Sequence, residues 1–323
     1  MGKKAVITLQ ATVNFINVGW GDAQLIRLPS GAATLIDGGD GAIGPERDHP
    51  LTWMDRHGVS RLDWMILTHI HEDHLNGLLD IARRCEVKRA VLPYALPMLP
   101  QSLKAWIMAE GRHLAARVYG LLEAYSELIR LLHEQGTDVH WRSEYGGPSG
   151  QAVWAEDGYT LAHLYPWQED PLPGLGLLHD AAQNAAAEPE AASAALERFF
   201  SLSNDDSSVY RLVHAEDPSG GILLGGDQLI PGWERIAKRT ELRSRVWKVP
   251  HHGLEDGFQA AQLSEIRPEI CVITVCKERA MPQQERWDKL HAESGAAIHL
   301  TGSVKAGERV PLTDGPIGTW IGG

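Results

Sequence analysis

The segment Thr68-His69-Ile70-His71-Glu72-Asp73-His74-Leu75-Asn76-Gly77 follows the apolar run Trp64-Met65-Ile66-Leu67 without a break. Three imidazoles and a carboxylate, from His69, His71, Asp73 and His74, thus crowd the end of what reads as a buried strand. His69 and His71 alternate, so both side chains can leave an extended segment on one side. Asp73 and His74 lie one turn further on, where the chain bends into a helix that continues through Gly77–Ala82. The four groups therefore split into two pairs, able to serve two adjacent metal ions. Imidazole with carboxylate suits zinc, with manganese and iron as alternatives.

Four ligands do not complete two metal sites, and the rest of the chain offers partners at other strand ends. Gly225-Gly226-Asp227 follows the strand Ile222–Leu224, which makes Asp227 a candidate bridge between two ions. Pro250-His251-His252-Gly253 follows the strand Val246–Val249 and adds a further imidazole from His251 or His252. Strand ends are where a rigid scaffold presents chemistry on an exposed loop.

Around these motifs the chain alternates strands and helices. Val13–Val18, Leu25–Leu28, Ala33–Ile36, Leu62–Leu67 and Ala90–Leu92 read as strands of a first half. Val209–Val213, Ile222–Leu224, Val246–Val249, Ile270–Val275 and Ala297–Leu300 read as strands of a second half. Helices are expected over Gly232–Thr240, Gln259–Ile266 and Gln283–Ser294. The pattern predicts an α/β (α+β) fold in which two sheets pack together with helices outside. We read residues 1–323 as a single domain with two additions. Residues 101–135 show helical spacing of Leu103, Trp106, Ile107, Leu114, Val118, Leu121, Tyr125, Leu128 and Leu132. Residues 170–198 are Ala-, Pro- and Glu-rich and read as a flexible crossing or a weak surface helix.

Composition narrows the function. The 323 residues carry a formal net charge of −12, which argues against long-range attraction to nucleic acid. Cys85, Cys271 and Cys276 are widely placed and provide neither a disulfide framework nor a four-cysteine zinc site. They read as small hydrophobes of a reducing compartment. Lys3 and Lys4 precede an apolar run, Val6–Gln10, too short for a signal segment, and no run is long enough to span a bilayer. A soluble cytoplasmic protein is expected. His49, His57, His113, His163 and His179 are scattered and are assigned to surface or packing roles.

The motif His69-Ile70-His71-Glu72-Asp73-His74 resembles the HxHxDH signature of the metallo-β-lactamase superfamily. The chain further resembles the hydrolase domain of ComEC-type DNA-uptake proteins in Val18-Gly19-Trp20-Gly21-Asp22, Leu35-Ile36-Asp37-Gly38-Gly39, Gly226-Asp227 and His251-His252-Gly253. The resemblance implies an αββα sandwich of two mixed β-sheets with a dinuclear site at one edge. It implies a metal-dependent hydrolase using a hydroxide between two divalent ions, zinc first among them, with phosphodiesters as the favoured substrates. A β-lactam or lactone hydrolase is one alternative. A non-catalytic metal-binding module of a defence or toxin system is another.

In this reading His69 and His71 hold the first metal, Asp73, His74 and one of His251 and His252 the second, and Asp227 bridges. Asp73 and His252 carry the catalytic roles, with a motif histidine free to donate to a substrate oxygen. Asp37 and Asp22, and more weakly Asp40, orient the ligand loops. Glu72 is structural or solvent-facing. The family's usual extra metal histidine is missing: the corresponding segment reads Ser203-Asn204-Asp205-Asp206-Ser207-Ser208, so Asp205 or Asp206 is the candidate replacement. Trp20 stands where the subfamily has glutamine, Leu254 where it has serine, and Met281-Pro282 where it has a His-Pro pair. The expected substrate is a small or nucleotide-like molecule, with no membrane partner.

Overall fold

The computed structural model describes residues 10–313 and 316–323. The reading of Lys3, Lys4 and residues 6–9 lies outside the described residues. Strands β1 (Ala11–Phe15), β2 (Gln24–Arg27), β3 (Ala33–Ile36), β4 (Arg61–Ile66), β5 (Glu86–Leu92) and β6 (Asp138–Trp141) come first. Strands β7 (Gln151–Glu156), β8 (Tyr159–Tyr165), β9 (Val209–His214), β10 (Asp217–Leu224), β11 (Val246–Lys248), β12 (Ile270–Ile273), β13 (Ala297–Leu300), β14 (Arg309–Thr313) and β15 (Ile317–Gly322) follow. They form an eight-stranded sheet, β14-β15-β1-β2-β3-β4-β5-β6, and a seven-stranded sheet, β13-β12-β11-β10-β9-β8-β7.

Both sheets are mixed. In the first, β3 to β6 run parallel, as do β1 and β15, while β1, β2 and β3 form antiparallel pairs. In the second, β10 to β13 are parallel and β7 to β10 antiparallel.

The helices are α1 (Pro50–Arg56), α2 (Glu72–Arg84), α3 (Gln101–Ala109), α4 (His113–Glu134), α5 (Pro173–Asn184), α6 (Pro189–Leu202), α7 (Ile230–Ala237), α8 (Ala260–Ile266), α9 (Lys277–Ala280) and α10 (Gln284–Ser294). Three apolar clusters define four layers. Val13, Phe15, Ile36 and Ile66 of the first sheet meet Leu161, Leu212, Ile222 and Val272 of the second in the middle of the sandwich. Leu35, Met65 and Ala90 face outward under α2, α4 and α6, while Leu223, Trp247 and Ile273 face outward under α7, α8 and α10. Central strands are buried on both faces, which is why they read as continuous apolar runs. Two mixed sheets flanked by helices are the architecture expected from the sequence.

Residues 101–135 form α3 and α4, and the regular apolar spacing places Val118, Leu121, Leu122, Tyr125, Leu128 and Leu132 on the buried face of α4. The stretch expected as a crossing at 170–198 is instead a helical pair, α5 and α6. Leu178, Ala181, Ala192, Leu196 and Phe199 are buried in the same core, and α6 packs on α4. Alanine-rich composition hides this: the residues have high helix propensity, and their small apolar faces count only once a neighbouring helix is present. The sequence reading also missed α1, β6 to β8 and the edge pair β14–β15.

Cys85, Cys271 and Cys276 are free thiols, the first two buried. Among the described residues no helix is long and apolar enough to cross a membrane.

Candidate metal centre

The first sheet brings three loops to one edge. The loop after β3 places Asp37 at φ 58°. Its carboxylate accepts from Thr68 N and Thr68 Oγ1, each at 2.8 Å, and lies 2.8 Å from His74 Nδ1. Asp37 thereby fixes the His74 ring so that Nε2 points into the cluster. The loop after β4 carries His69 and His71, and α2 starts at Glu72, with Asp73 and His74 in its first turn. Acidic residues in a first turn are favoured by the helix dipole, as are Arg83 and Arg84 in the last. Gly77 lets α2 approach the Asp37 loop, because a Cβ there would collide with the Gly38 carbonyl oxygen. The loop after β1 brings in Asp22.

The second sheet supplies Asp227 after β10, and Lys248 and His252 in and after β11. Asp227 sits at the centre. Its Oδ2 lies 3.2 Å from His74 Nε2, 3.3 Å from His252 Nε2 and 3.9 Å from His69 Nε2. His252 Nε2 is also 3.2 Å from Asp73 Oδ2. Four overlapping groups have their ligand atoms within 4.8 Å of one another: His69, His74 and Asp227; Asp73, His74 and His252; Asp22, Asp227 and His252; and Asp22, Asp37 and His74.

The tandem histidines separate. His251 and His252 both adopt left-handed backbone, at φ 47° and 52°, a strained state for residues with a Cβ that tends to cluster at functional loops. His252 is buried, with Nδ1 at 2.9 Å from the Thr274 carbonyl oxygen. His251 turns away, to Asp256 Oδ1 at 2.7 Å and Asn204 Nδ2 at 3.0 Å. Of the two candidates, the structure brings His252 into the cluster and leaves His251 outside it. His71 stands beside the groups rather than in them: its Nδ1 is 3.1 Å from His69 Nε2, and its Nε2 is 3.2 Å from the Phe200 carbonyl oxygen.

The structure places Asp205 and Asp206, the candidate replacement ligands, outside the cluster. Neither joins a group of potential ligand atoms among the described residues. Asp206 points the other way, its carboxylate 3.4 Å from Tyr94 Oη and its backbone carbonyl accepting from Arg142. What this segment does bring to the site is Ser207, whose Oγ is 3.3 Å from His69 Nδ1 and accepts from Asp227 N at 2.9 Å. Asp40 pairs with Arg47 at 2.8 Å, outside the cluster, and Glu72 with Arg117 at 2.6 Å.

Lys248 was missed by the sequence reading. It is fully buried, donates to the Gly226 carbonyl at 2.8 Å, pairs with Asp22 and lies 3.6 Å from Asp227 Oδ1. A lysine inside the apolar run Val246–Val249 was the available signal, since lysine is almost never fully buried without a partner.

The electrostatics describe a site short of positive charge. Burial drives His69 well below the usual imidazole value, and His74 and His71 push the same way. Burial opposes protonation of His74 as well, but Asp227, Asp37 and Asp73 outweigh it and raise it well above that value. The same contest, led by Asp227, lifts His252 to about 9. Against their own burial, Asp227 and Asp73 are held far below the carboxylate range by His252 and His74.

Metal ligation requires neutral imidazoles, so two divalent cations would take the place of the protons that the surrounding carboxylates hold on His74 and His252, with Lys248 as the remaining cation. His74 Nε2, His252 Nε2 and Asp227 Oδ1 are also buried without a hydrogen-bond partner, as atoms waiting for a cation would be. The donor set fits such ions.

Residues 33–124 match a family model described as a beta-lactamase superfamily domain. No curated protein matches the sequence. Among solved structures, the chain is similar to a new diphosphatase from the PhnP family, with 12% identity, TM-score 0.40, and 86% of this chain and 80% of that one covered. It is similar to the metallo-β-lactamase fold protein YhfI from Bacillus subtilis, with 9% identity, TM-score 0.45, and 90% and 95% covered. It is also similar to CmlA, a diiron β-hydroxylase from Streptomyces venezuelae, with 12% identity and TM-score 0.46; 91% of this chain but only 53% of CmlA is covered. The family-model match covers the part of the first sheet and its helices that carries the His69–His74 motif, within a fold of two mixed sheets between helical layers.

Proposed function

We propose that the protein is a metal-dependent hydrolase that holds two divalent ions, zinc in the first instance, and acts on small or chain-end phosphodiesters. One observation carries the reading: a single oxygen of Asp227 is approached by Nε2 of His69, His74 and His252, while Asp73 joins from the side of His252. His69, His74 and Asp227 would hold one ion, and Asp73, His252 and Asp227 the other. His71 would join His69 at the first ion, its Nδ1 lying 3.1 Å from His69 Nε2. Bound divalent ions supply Lewis acidity toward a phosphoryl oxygen and a water that ionises near neutral pH.

The chain's own residues do the rest. Asp37 and Thr274 fix the tautomers and planes of His74 and His252. Ser207 ties His69 to the Asp227 backbone. Lys248 holds Asp22 and balances part of the charge that gathers around Asp227. The Val18–Asp22, Leu35–Gly39 and His251–Gly253 loops, which carry the ComEC-type likeness, contribute residues to the cluster or border it. They favour a phosphodiester over a β-lactam.

A small substrate fits better than a long polyanion. The net charge of −12 does not gather DNA, and the end of α6 covers the His71 side, with the Phe200 carbonyl on His71 Nε2 and the Phe200 ring 4.5 Å from the imidazole. A cytoplasmic location is part of the same proposal.

The test is elemental analysis of the purified protein together with turnover of bis(p-nitrophenyl) phosphate, a phosphomonoester, a β-lactam, a lactone and plasmid DNA at fixed salt. Close to two ions per chain and preference for the small diester are expected. β-Lactam or lactone turnover without diesterase activity overturns the substrate class. Full metal content with no turnover on any substrate favours the non-catalytic module.

A further inference from the structure

Two half-buried aromatic rings flank the cluster, each between an imidazole and a guanidinium. On one side Trp20 lies 4.5 Å from the His252 ring, and Arg279 Cζ lies 4.0 Å from the Trp20 ring. On the other, Phe200 lies 4.5 Å from the His71 ring, and Arg117 Cζ lies 4.7 Å from Phe200. The stacks look alike and differ in charge. Arg117 is engaged by Glu72 through two hydrogen bonds, at 2.6 and 3.0 Å. Arg279 is exposed and has no ion pair among the described residues, and the same holds for Lys277 beside it.

Trp20, Lys277 and Arg279 also border a surface cleft of about 540 Å³, which runs from the Gly19–Trp20 turn to the loop after β12. Trp20 is the wall the cleft shares with the cluster. Within the cleft Arg47 is neutralised by Asp40, while Glu46 and Glu278 at its edge leave it with no overall positive charge. Its capacity for anions is therefore local and small: one charged group placed at Arg279 and Lys277, and no long polyanion.

The geometry points to an anion subsite at Arg279 and Lys277 that takes a second phosphate of the substrate, one indole ring away from the candidate metal centre. The neutral Phe200–Arg117–Glu72 side then receives the uncharged portion. This rests on the proposed hydrolase function, whose substrate it narrows to a phosphodiester or phosphoanhydride with an additional phosphate on one side of the scissile group. Trp20 is the platform that holds the Arg279 guanidinium in place while leaving its N–H groups free for phosphate oxygens. The glutamine-to-tryptophan departure at this position acquires a role: an indole, unlike a glutamine side chain, can carry a stacked guanidinium.

The probe is adenosine 5′-diphosphate, titrated calorimetrically into the metal-loaded protein, with bis(p-nitrophenyl) phosphate turnover and the melting temperature measured on the same preparations. Arg279→Glu is expected to weaken binding by about tenfold or more, the loss of one charge-assisted contact, and Lys277→Ala by about threefold. Arg130→Gln should leave the affinity within about twofold, since that guanidinium is engaged by Glu127 and Glu134 on α4 and does not line the cleft. Arg279→Glu protein that keeps its melting temperature and binds the nucleotide as tightly as wild type overturns the subsite, however fast the diester is cleaved. Wild-type protein that fails to bind the nucleotide overturns it too. Arg279-dependent binding without turnover of any phosphodiester or of the nucleotide's phosphoanhydride supports the subsite and sinks the hydrolase reading instead.

Discussion

The two sheets contribute to the candidate centre in different ways. The first delivers His69, His71, Asp73 and His74 from one uninterrupted segment that runs from the end of β4 into the first turn of α2, braced by Asp37 from the neighbouring strand end. The second delivers Asp227 from the loop after β10, Lys248 from the end of β11 and His252 from the loop after it, which meet because β10 and β11 pair in parallel, with Leu224 opposite Lys248. The first set is close to local: a strand end and a helix start determine most of its geometry. The second set exists only as a consequence of sheet register, and it contains the carboxylate on which three imidazoles converge. The difference teaches that the contiguous motif is the recognisable half of this site, whereas the dispersed half joins the histidines into one centre.

The most severe way to break the comparison is to remove its meeting point. Asp227→Ala should reduce bound metal to well below two ions per chain and lower diester turnover by about a thousandfold, as expected when several kcal/mol of charge stabilisation vanish. His251→Ala, one position from His252 but outside the cluster, should keep its metal and stay within a few-fold of wild type. Elemental analysis and initial rates on the two variants check this. Equal losses would mean that the tandem histidines are not separated as described.

A second test, on stability rather than turnover, addresses the buried cation of the second sheet. Lys248→Met leaves Asp22 buried beside Asp227 without its partner and should destabilise the metal-loaded protein by about 3–5 kcal/mol. Adding Asp22→Asn should recover part of that loss, because the two residues form one pair. Urea unfolding of the single and double variants measures the coupling, and strict additivity would show that the pair does not act as a unit.

The mildest test uses a buried histidine on the second sheet, away from the cluster. His163 is fully buried on β8, and burial, aided by Arg142, lowers it to about 3. The native state therefore keeps it neutral while the unfolded chain takes up a proton below its ordinary value of 6.5. Stability contributed by neutral His163 is fully present above pH 6.5 and is lost progressively as pH falls toward 3. At pH 5 the loss is about 2 kcal/mol. His163→Gln should flatten the pH dependence of unfolding free energy between pH 7 and 5 relative to wild type; an unchanged slope would assign that dependence to other groups.

Much of the first half was readable because its signals are short-range. Alternating His69 and His71, the turn into α2 and the apolar strand before them follow from neighbours in sequence, as does the long apolar repeat of α4. Asp227 could be singled out as a carboxylate at a strand end after two glycines. The edge strand β14 escaped notice because Arg309-Val310-Pro311 carries too little apolar alternation to announce a strand, and its pairing is provided by β15 rather than by its own residues. The helices α5 and α6 escaped for a similar reason: alanine faces gain meaning only against α4.

By itself, then, the sequence determined the ligand types and the spacing of the local motif, along with the double-buried strands that made a two-sheet fold the economical answer. Tertiary structure decided which of two adjacent histidines enters the site, since left-handed backbone at both residues sends His252 inward and His251 toward Asp256. It decided that Asp206 lies by Tyr94 and Arg142 rather than in the cluster, and that Ser207 from the same turn reaches His69. It also turned Lys248, an oddity within an apolar strand, into the counter-charge of Asp22. The physical reason is the same in each case: a charged or polar side chain can be buried only where another element supplies its partner, and that partner is remote in sequence.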